Sequence, residues 1–446
     1  MRKGDRLQLS VTALDEEAAG LALVGGLRVH VAGALPDEEV DVTIAHLSPH
    51  RPEAWATLER VARPSPSRTT PVCPAYGRCG GCLLEHMGYG EQLAWKQAHV
   101  TAALRAAGLE APVAACVPSP RPLGYRNKSK LVYAVDQAGR PLLGAYAPRS
   151  HRVVDLSGCR VAEAPLDDVA TALSEICGRH AVPAYDETSG AGLLRYAILR
   201  VNHLGRVLVT LVTSAEPFTD GDALAAELAL ARPEIVGVVQ NINRSRGNAL
   251  YGEEERTLYG VAELAERVGG VELRLSSTAF FQVNRDVAAR IYADLAAAAA
   301  LTGQERVVDA YAGIGGIALT LARGAAEVIG IEEHVRAVAD AQAAAQINHA
   351  FRARFVVGDV EPTLAGLGAA DVLVLNPPRR GCAPAVLQAA AAMRPRLIAY
   401  VSCAPDTLAR DLALLAHAGW HTRSVTPYDM LPQTAHVESL AIVTPA

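Results

Sequence analysis

Hydrophobic residues near the start of the chain fall on alternate positions in short runs: Leu7, Leu9 and Val11, then Leu27, Val29 and Val31, then Val40, Val42 and Ile44. A period of two marks half-buried strands, and Gly25-Gly26 and Pro36-Asp37 supply turns between them. Residues 1–62 are therefore expected to form a small OB-like β-barrel, an architecture that often offers strands and loops to oligonucleotides. Pro64, Pro66 and Pro71, interleaved with Ser and Thr, mark a linker. Over residues 63–270 the pattern is mixed, with a helical stretch at 92–107 and an apolar run at Arg206-Val-Leu-Val-Thr-Leu-Val212, which predicts an α+β central domain. Residues 271–446 change to a regular alternation. Strands are predicted at 306–310, 327–332, 354–357, 371–375 and 397–402, with helical segments between them, and a late pair at 422–425 and 437–443. Right-handed βαβ units of this kind build a Rossmann-like, mostly parallel α/β sheet, and the closing pair adds an antiparallel edge. A helix within residues 88–115 is expected to pack on this last domain.

Composition narrows the class. Half of the 446 residues are hydrophobic and a fifth are charged, and no run of 18 uncharged apolar residues occurs, so no membrane span is expected. Met1-Arg2-Lys3-Gly4-Asp5 runs straight into a strand pattern without a secretory apolar segment, and the expected compartment is cytoplasmic. The net charge of −5 argues against a chain coated in nucleic acid. Charge is nonetheless uneven: residues 121–160 hold eight Arg and Lys against Asp136 and Asp155, a local net of +6. That stretch suits either phosphates or a solvated basic face. No obligate protein partner is inferred.

The first strand of the last domain runs into Val307-Val-Asp-Ala-Tyr-Ala-Gly-Ile-Gly-Gly316, where Gly313, Gly315 and Gly316 let backbone approach a ligand. The second strand ends in Glu332, a carboxylate placed to accept from ribose hydroxyls. A dinucleotide and a methyl donor both fit these features. Asn376-Pro-Pro378 at the end of the fourth strand favours the methyl donor, because a rigid polar turn there holds a planar base beside the reactive group. An aromatic after Pro-Pro would point to an exocyclic amine as the acceptor; Arg379 stands there instead.

Uracil C5 is a poor nucleophile, and attack at C6 by a thiolate converts it to an enolate carbon. Cys403, in Val401-Ser-Cys-Ala-Pro405, lies between the fifth strand and a following helix whose N-terminus is expected to lower the thiol pKa. The subsequent loss of the C5 proton needs a base. Glu438 begins an apolar strand, an expensive place for a carboxylate without a task, with His436 close by. Separately, Cys73, Cys79 and Cys82, joined by the distant Cys159, form a thiol set that suits tetrahedral zinc or an iron–sulfur cube. Cys116, Cys177 and Cys382 read as packing residues.

Together, Phe280-Phe-Gln-Val-Asn284, Asp309-Ala-Tyr-Ala-Gly-Ile-Gly315, Asn376-Pro-Pro-Arg379, Val401-Ser-Cys-Ala-Pro405 and His436-Val-Glu438 resemble the RNA uracil-C5 methyltransferase family across nearly the whole chain. The front barrel, with Gly33-Ala-Leu-Pro36, is similar to a TRAM domain, and Tyr125-Arg-Asn-Lys128 to an element of the family's central domain. The resemblance implies a class I methyltransferase that forms 5-methyluridine, with Cys403 as nucleophile and Glu438 as proton acceptor. It implies S-adenosylmethionine contacts at Gln282, Tyr311, Gly313, Gly316, Glu332, Asp359 and Asn376. It also implies a [4Fe-4S] cluster on Cys73, Cys79, Cys82 and Cys159, and 23S ribosomal RNA as substrate, with transfer RNA the alternative. Asn376 stands where the family usually has Asp, and Gly316 where an Asn is frequent. Two competing readings are an amino-group RNA methyltransferase built on Asn376-Pro-Pro378, which has no need of Cys403, and a noncatalytic iron–sulfur RNA-binding regulator.

Overall fold

The computed structural model describes residues 1–215, 217–247 and 249–446. The alternating runs at the front form a six-stranded sheet in the order Arg6–Ser10, Glu39–Leu47, Glu53–Arg63, Leu27–Val31, Gly20–Val24 and Ala13–Leu14. Its inward positions are those read from the sequence, with Leu9, Val29, Val31, Val40, Val42 and Ile44 sharing one core. The arrangement is consistent with a small barrel.

The middle of the chain contributes a seven-stranded sheet, antiparallel except where Val207–Thr213 runs parallel to Ile235–Ile242. The helices Ala164–Arg179 and Gly221–Ala231 bury Leu166, Val169, Leu173, Leu224 and Leu228 in the core that covers one face. The hairpin Glu263–Val268 and Val271–Ser276 instead buries Leu264, Val271, Leu273 and Leu275 in the core of the last part of the chain.

That last part is a doubly wound sheet in the order Ala353–Val357, Glu327–Glu332, Arg306–Ala310, Val372–Leu375, Leu397–Ser402, Glu438–Pro445 and Trp420–Tyr428. The first five strands are parallel and the closing two antiparallel, as the alternation predicted. Strand order reverses between Arg306–Ala310 and Val372–Leu375, which opens a crevice at their carboxyl ends.

Helix Tyr89–Ala106 belongs to this sheet by packing although it precedes it by two hundred residues of sequence. Its Val100 and Leu104 are buried with Leu408, Leu412 and Val425. The chain beyond it runs alongside the edge strand, with Ala114 N–H donating to Val425 O at 2.9 Å and Val117 N–H to Pro427 O at 2.8 Å. Among the described residues no helix is long and apolar enough to cross a membrane.

Candidate active site

The glycine loop is shaped by strain and by one carboxylate. Tyr311, which leaves the first strand, has φ 65°, and Gly313 and Gly315 follow at 55° and 85°, a run of left-handed backbone that bends the chain sharply. Glu332 braces the turn: one carboxylate oxygen accepts from Gly313 N–H at 2.9 Å, the other from His334 N–H at 2.9 Å. A Cβ on Gly313 would meet nothing, so its face is open to a ligand. At Gly316 a Cβ would lie 2.8 Å from the Tyr292 hydroxyl. Tyr292 fills the space that a larger residue at this position would need.

Asp309, at the same strand end, is the residue that pattern reading passed over. It is buried, and neither carboxylate oxygen reaches full hydrogen-bond geometry with any described residue. Burial pushes its pKa up to about 7; the Ala318 amide offsets this only in part, and the Glu332 charge adds to it. A buried carboxylate without a partner beside a ligand loop awaits a donor. Its sequence signal was its place at the head of the Gly-rich turn.

Of the remaining predicted contacts, Tyr311, Asp359 and Asn376 follow the carboxyl ends of parallel strands, and Gln282 precedes helix Arg285–Ala299. Gln282 is half-buried, and its carbonyl accepts from the Asn127 side chain at 3.0 Å. Asp359 is exposed at the start of helix Val360–Gly366, and Asn376 is half-buried past Leu375, its N–H reaching Ala310 O at 3.4 Å. Tyr311 turns its hydroxyl toward Cys382. Cys382 is thus more than packing: its thiol meets the Tyr311 and Tyr400 hydroxyls, and its N–H donates to Asp411 at 2.7 Å.

Strand register brings Cys403 and Glu438 together. Ser402 pairs with Ser439 across the antiparallel strands, so the residue after Ser402 and the residue before Ser439 face each other at one sheet edge. Cys403 is half-buried and Glu438 buried. Burial carries the Glu438 pKa up to about 7. The expectation that a helix N-terminus lowers the Cys403 pKa is overturned: burial raises it, and the neighbouring Glu438 charge raises it further. Arg379 opposes both effects, interacting with the Cys403 thiol and with the Glu438 carboxyl. Arg379 also bears on His436, whose pKa is lowered by burial first and by this charge second. It was visible in the sequence only as the residue after Pro-Pro.

Two further constellations lie outside the sheet edge. The four cysteines line a single cavity of about 780 Å³ together with Arg126, Leu143 and Val161. Burial raises the thiol pKa of Cys79 and Cys82, and Cys73 and Cys159 add to it in both cases. Among the described residues no three His, Cys, Asp or Glu side chains gather closely enough to hold one metal ion. Arg126, Lys128, Lys130 and Arg200 form the second constellation. Burial, then Arg200, Arg126 and Lys130, bring the Lys128 pKa down to about 7, and Arg200 keeps one buried guanidinium nitrogen unpaired. Lys130 lies 4.8 Å from the Tyr196 ring centre and Lys128 5.9 Å from that of Tyr251.

A parallel sheet of this order, with a glycine loop at the reversal point and an acid ending the second strand, defines a Rossmann-like domain shaped for a nucleoside-bearing cofactor. Residues 271–394 match the family described as the methyltransferase small domain. Across the whole chain, an uncharacterized RNA methyltransferase of Geobacter sulfurreducens is 40% identical over 450 residues, covering 99% of this chain and 90% of that protein. One from Gloeobacter violaceus is 37% identical over 443 residues, covering 98% and 96%. The chain belongs to this family of RNA methyltransferases. Among solved structures, the tRNA (uracil-54, C5)-methyltransferase of Pyrococcus abyssi, bound to S-adenosyl-L-homocysteine, superposes with a TM-score of 0.79 at 24% identity, covering 98% of this chain and all of that one.

Proposed function

We propose that the protein methylates C5 of a uridine in RNA, with Cys403 as nucleophile and Glu438 as base. The observation that carries this reading is the juxtaposition of thiol, carboxyl and Arg379 at the carboxyl end of Leu397–Ser402, on the same edge of the sheet as the glycine loop. Cys403 Sγ attacks uracil C6, the thiol proton leaves to solvent, and Arg379 favours the anionic sulfur. S-adenosylmethionine, when bound, supplies the electrophilic methyl group that C5 takes up. Glu438 then removes the C5 proton, the C6–S bond breaks, and the C5=C6 bond is restored with Cys403 free. An amino-group acceptor would leave this pair without employment. Asn376 offers a carbonyl and an amide to the edge of the base, in place of a charge.

The chain's residues fit the methyl donor. Asp309 has the unpartnered buried carboxylate for its ammonium group, Glu332 has lone pairs left for ribose hydroxyls, and Gly313 leaves room for close approach. Asp309→Asn is expected to weaken S-adenosylhomocysteine binding roughly 10- to 100-fold, the worth of one charge-assisted hydrogen bond. Titration calorimetry checks this, and unchanged affinity would remove Asp309 from the site.

RNA phosphates are proposed to lie against Arg126, Lys128 and Lys130, with Tyr251 and Tyr196 beside the two lysines for bases, while buried Arg200 contributes only charge from beneath. The target uridine must leave its stack to reach Cys403. The proposed substrate is 23S ribosomal RNA, with transfer RNA the alternative. Mapping 5-methyluridine in both RNAs from cells with and without the gene decides between them; a map unchanged in both would sink the assignment.

We also propose a [4Fe-4S] cluster at the four thiols, a reading supported by their lining of one cavity and by their mutual effect on the Cys79 and Cys82 pKa values. Cys73, Cys79, Cys82 and Cys159 would hold it as thiolates. Protein isolated without oxygen is expected to carry iron and sulfide with visible absorption, and Cys82→Ser to lose most of both. Zinc in their place would contradict the cluster.

A further inference from the structure

Residues 429–437 connect strand Trp420–Tyr428 to strand Glu438–Pro445 and so deliver Glu438 to the sheet edge. Gln433 lies at φ 69°, left-handed backbone that a side-chain-bearing residue rarely adopts, and the restraints on it come from other parts of the chain. Three consecutive carbonyls are each taken by a different donor. Lys96 Nζ donates to Leu431 O at 3.1 Å, Tyr125 Oη to Pro432 O at 3.1 Å, and Leu84 N–H to Gln433 O at 2.9 Å. Gln92, fully buried on the same helix as Lys96, closes the arrangement. Its Oε1 accepts from Gln433 N–H at 3.1 Å, and its Nε2 donates to Gln433 Oε1 at 2.9 Å, Leu84 O at 3.0 Å and Met87 O at 2.8 Å. Lys96 completes the grip with an ion pair to Asp429 at 2.5 Å, both side chains wholly buried.

We propose that Gln92 and Lys96 are positioning residues for Glu438, acting through the 429–437 connection, and that Leu84, just past Cys82, ties this connection to the cysteine-bearing loop. The inference rests on the role of Glu438 proposed above. A base works only within hydrogen-bond reach of its proton, so a small displacement is costly. Cys403 reaches the same place from a different strand, Leu397–Ser402, which is held between Val372–Leu375 and Glu438–Pro445, and none of the hydrogen bonds that Gln92 and Lys96 make ends on it. Loosening the latch therefore slows proton removal and spares carbon–sulfur bond formation.

The test uses the full-length protein, S-adenosylmethionine and the RNA that the wild-type protein methylates. Rates of formation and of resolution of the protein–RNA adduct are followed on denaturing gels for Gln92→Ala, Gln433→Asn, the double variant and Glu438→Gln. Asn tolerates left-handed backbone but is too short to meet Gln92, so Gln433→Asn removes the Gln92 Nε2–Gln433 Oε1 bond and leaves the backbone contacts in place, even if Gln92→Ala fails to fold. The latch predicts resolution slowed roughly 10- to 100-fold in each folded single variant, with methylated adduct accumulating and its formation changed less than about threefold. The double variant should be slowed less than the product of the two singles, because both lose the same Gln92–Gln433 side-chain bond. Equal losses in formation and resolution, or normal resolution in Gln433→Asn while Glu438→Gln accumulates adduct, would overturn the latch. Absence of adduct in Glu438→Gln would overturn the assignment of Glu438 itself, and the latch with it.

Discussion

Cys403→Ala is expected to lower methyl transfer to RNA by at least roughly 10⁴-fold, since a covalent nucleophile has no substitute in the site. S-adenosylhomocysteine binding should stay within about threefold of wild type, because the donor loop lies on other strands. The half-buried thiol sits beside Glu438 and Arg379, and its raised pKa means that the free protein holds it as the neutral thiol. On the proposed mechanism the thiolate forms as the uracil arrives, with Arg379 already beside the sulfur. Reaction of Cys403 with a small alkylating reagent should accordingly be slow at neutral pH and accelerate as the pH rises. Single-turnover transfer of labelled methyl, measured beside calorimetry on the same preparation, checks the first claim. Retention of transfer within tenfold would move the chemistry to another acceptor.

Glu438→Gln is expected to be the next most damaging change, slowing turnover by roughly 10²- to 10⁴-fold. It acts at a different step: adduct forms, accepts its methyl group and persists. The same carboxyl makes a stability prediction with a definite sign. Its folded pKa, about 7, lies above the ordinary value of 4.5, so the folded state binds the proton more tightly. Wild type therefore loses stability relative to Glu438→Gln as pH rises from about 4.5 to 7, and the difference is constant above that. It amounts to on the order of 3 kcal/mol, read as a higher melting temperature for the variant at pH 8 and near equality at pH 4.5. Turnover by wild type should fall as pH drops through about 7, where the base becomes protonated.

The sequence exposes periodicity and short-range order well. The barrel strands, the five parallel strands and the glycine loop all follow from alternation and from residues whose backbone freedom has one use. The closing strand pair was legible, but its register was not, and register is what sets Cys403 against Glu438. Helix Tyr89–Ala106 shows why: its packing on the last domain was expected, but its buried face carries Gln92 and Lys96 beside Val100 and Leu104, and their partners Gln433, Asp429, Leu408, Leu412 and Val425 lie three hundred residues or more away. The Cys403 pKa was misjudged because a helix terminus is a local feature, whereas burial and a charge from another strand are not. Asp309 and Arg379 were missed for the same reason. A carboxylate without a partner and a cation facing two acids exist only once the sheet has assembled.

The measurement closest to the central claim follows the hydrogen that must leave. RNA from cells lacking the gene, labelled with tritium at uracil C5, is incubated with the protein and S-adenosylmethionine, and tritium release is counted against methyl incorporation. Methylation at C5 through Cys403 and Glu438 predicts one tritium released to water for each methyl group gained, and neither event with Cys403→Ala. Methyl incorporation with the tritium retained would place the new group elsewhere on the RNA and contradict the account.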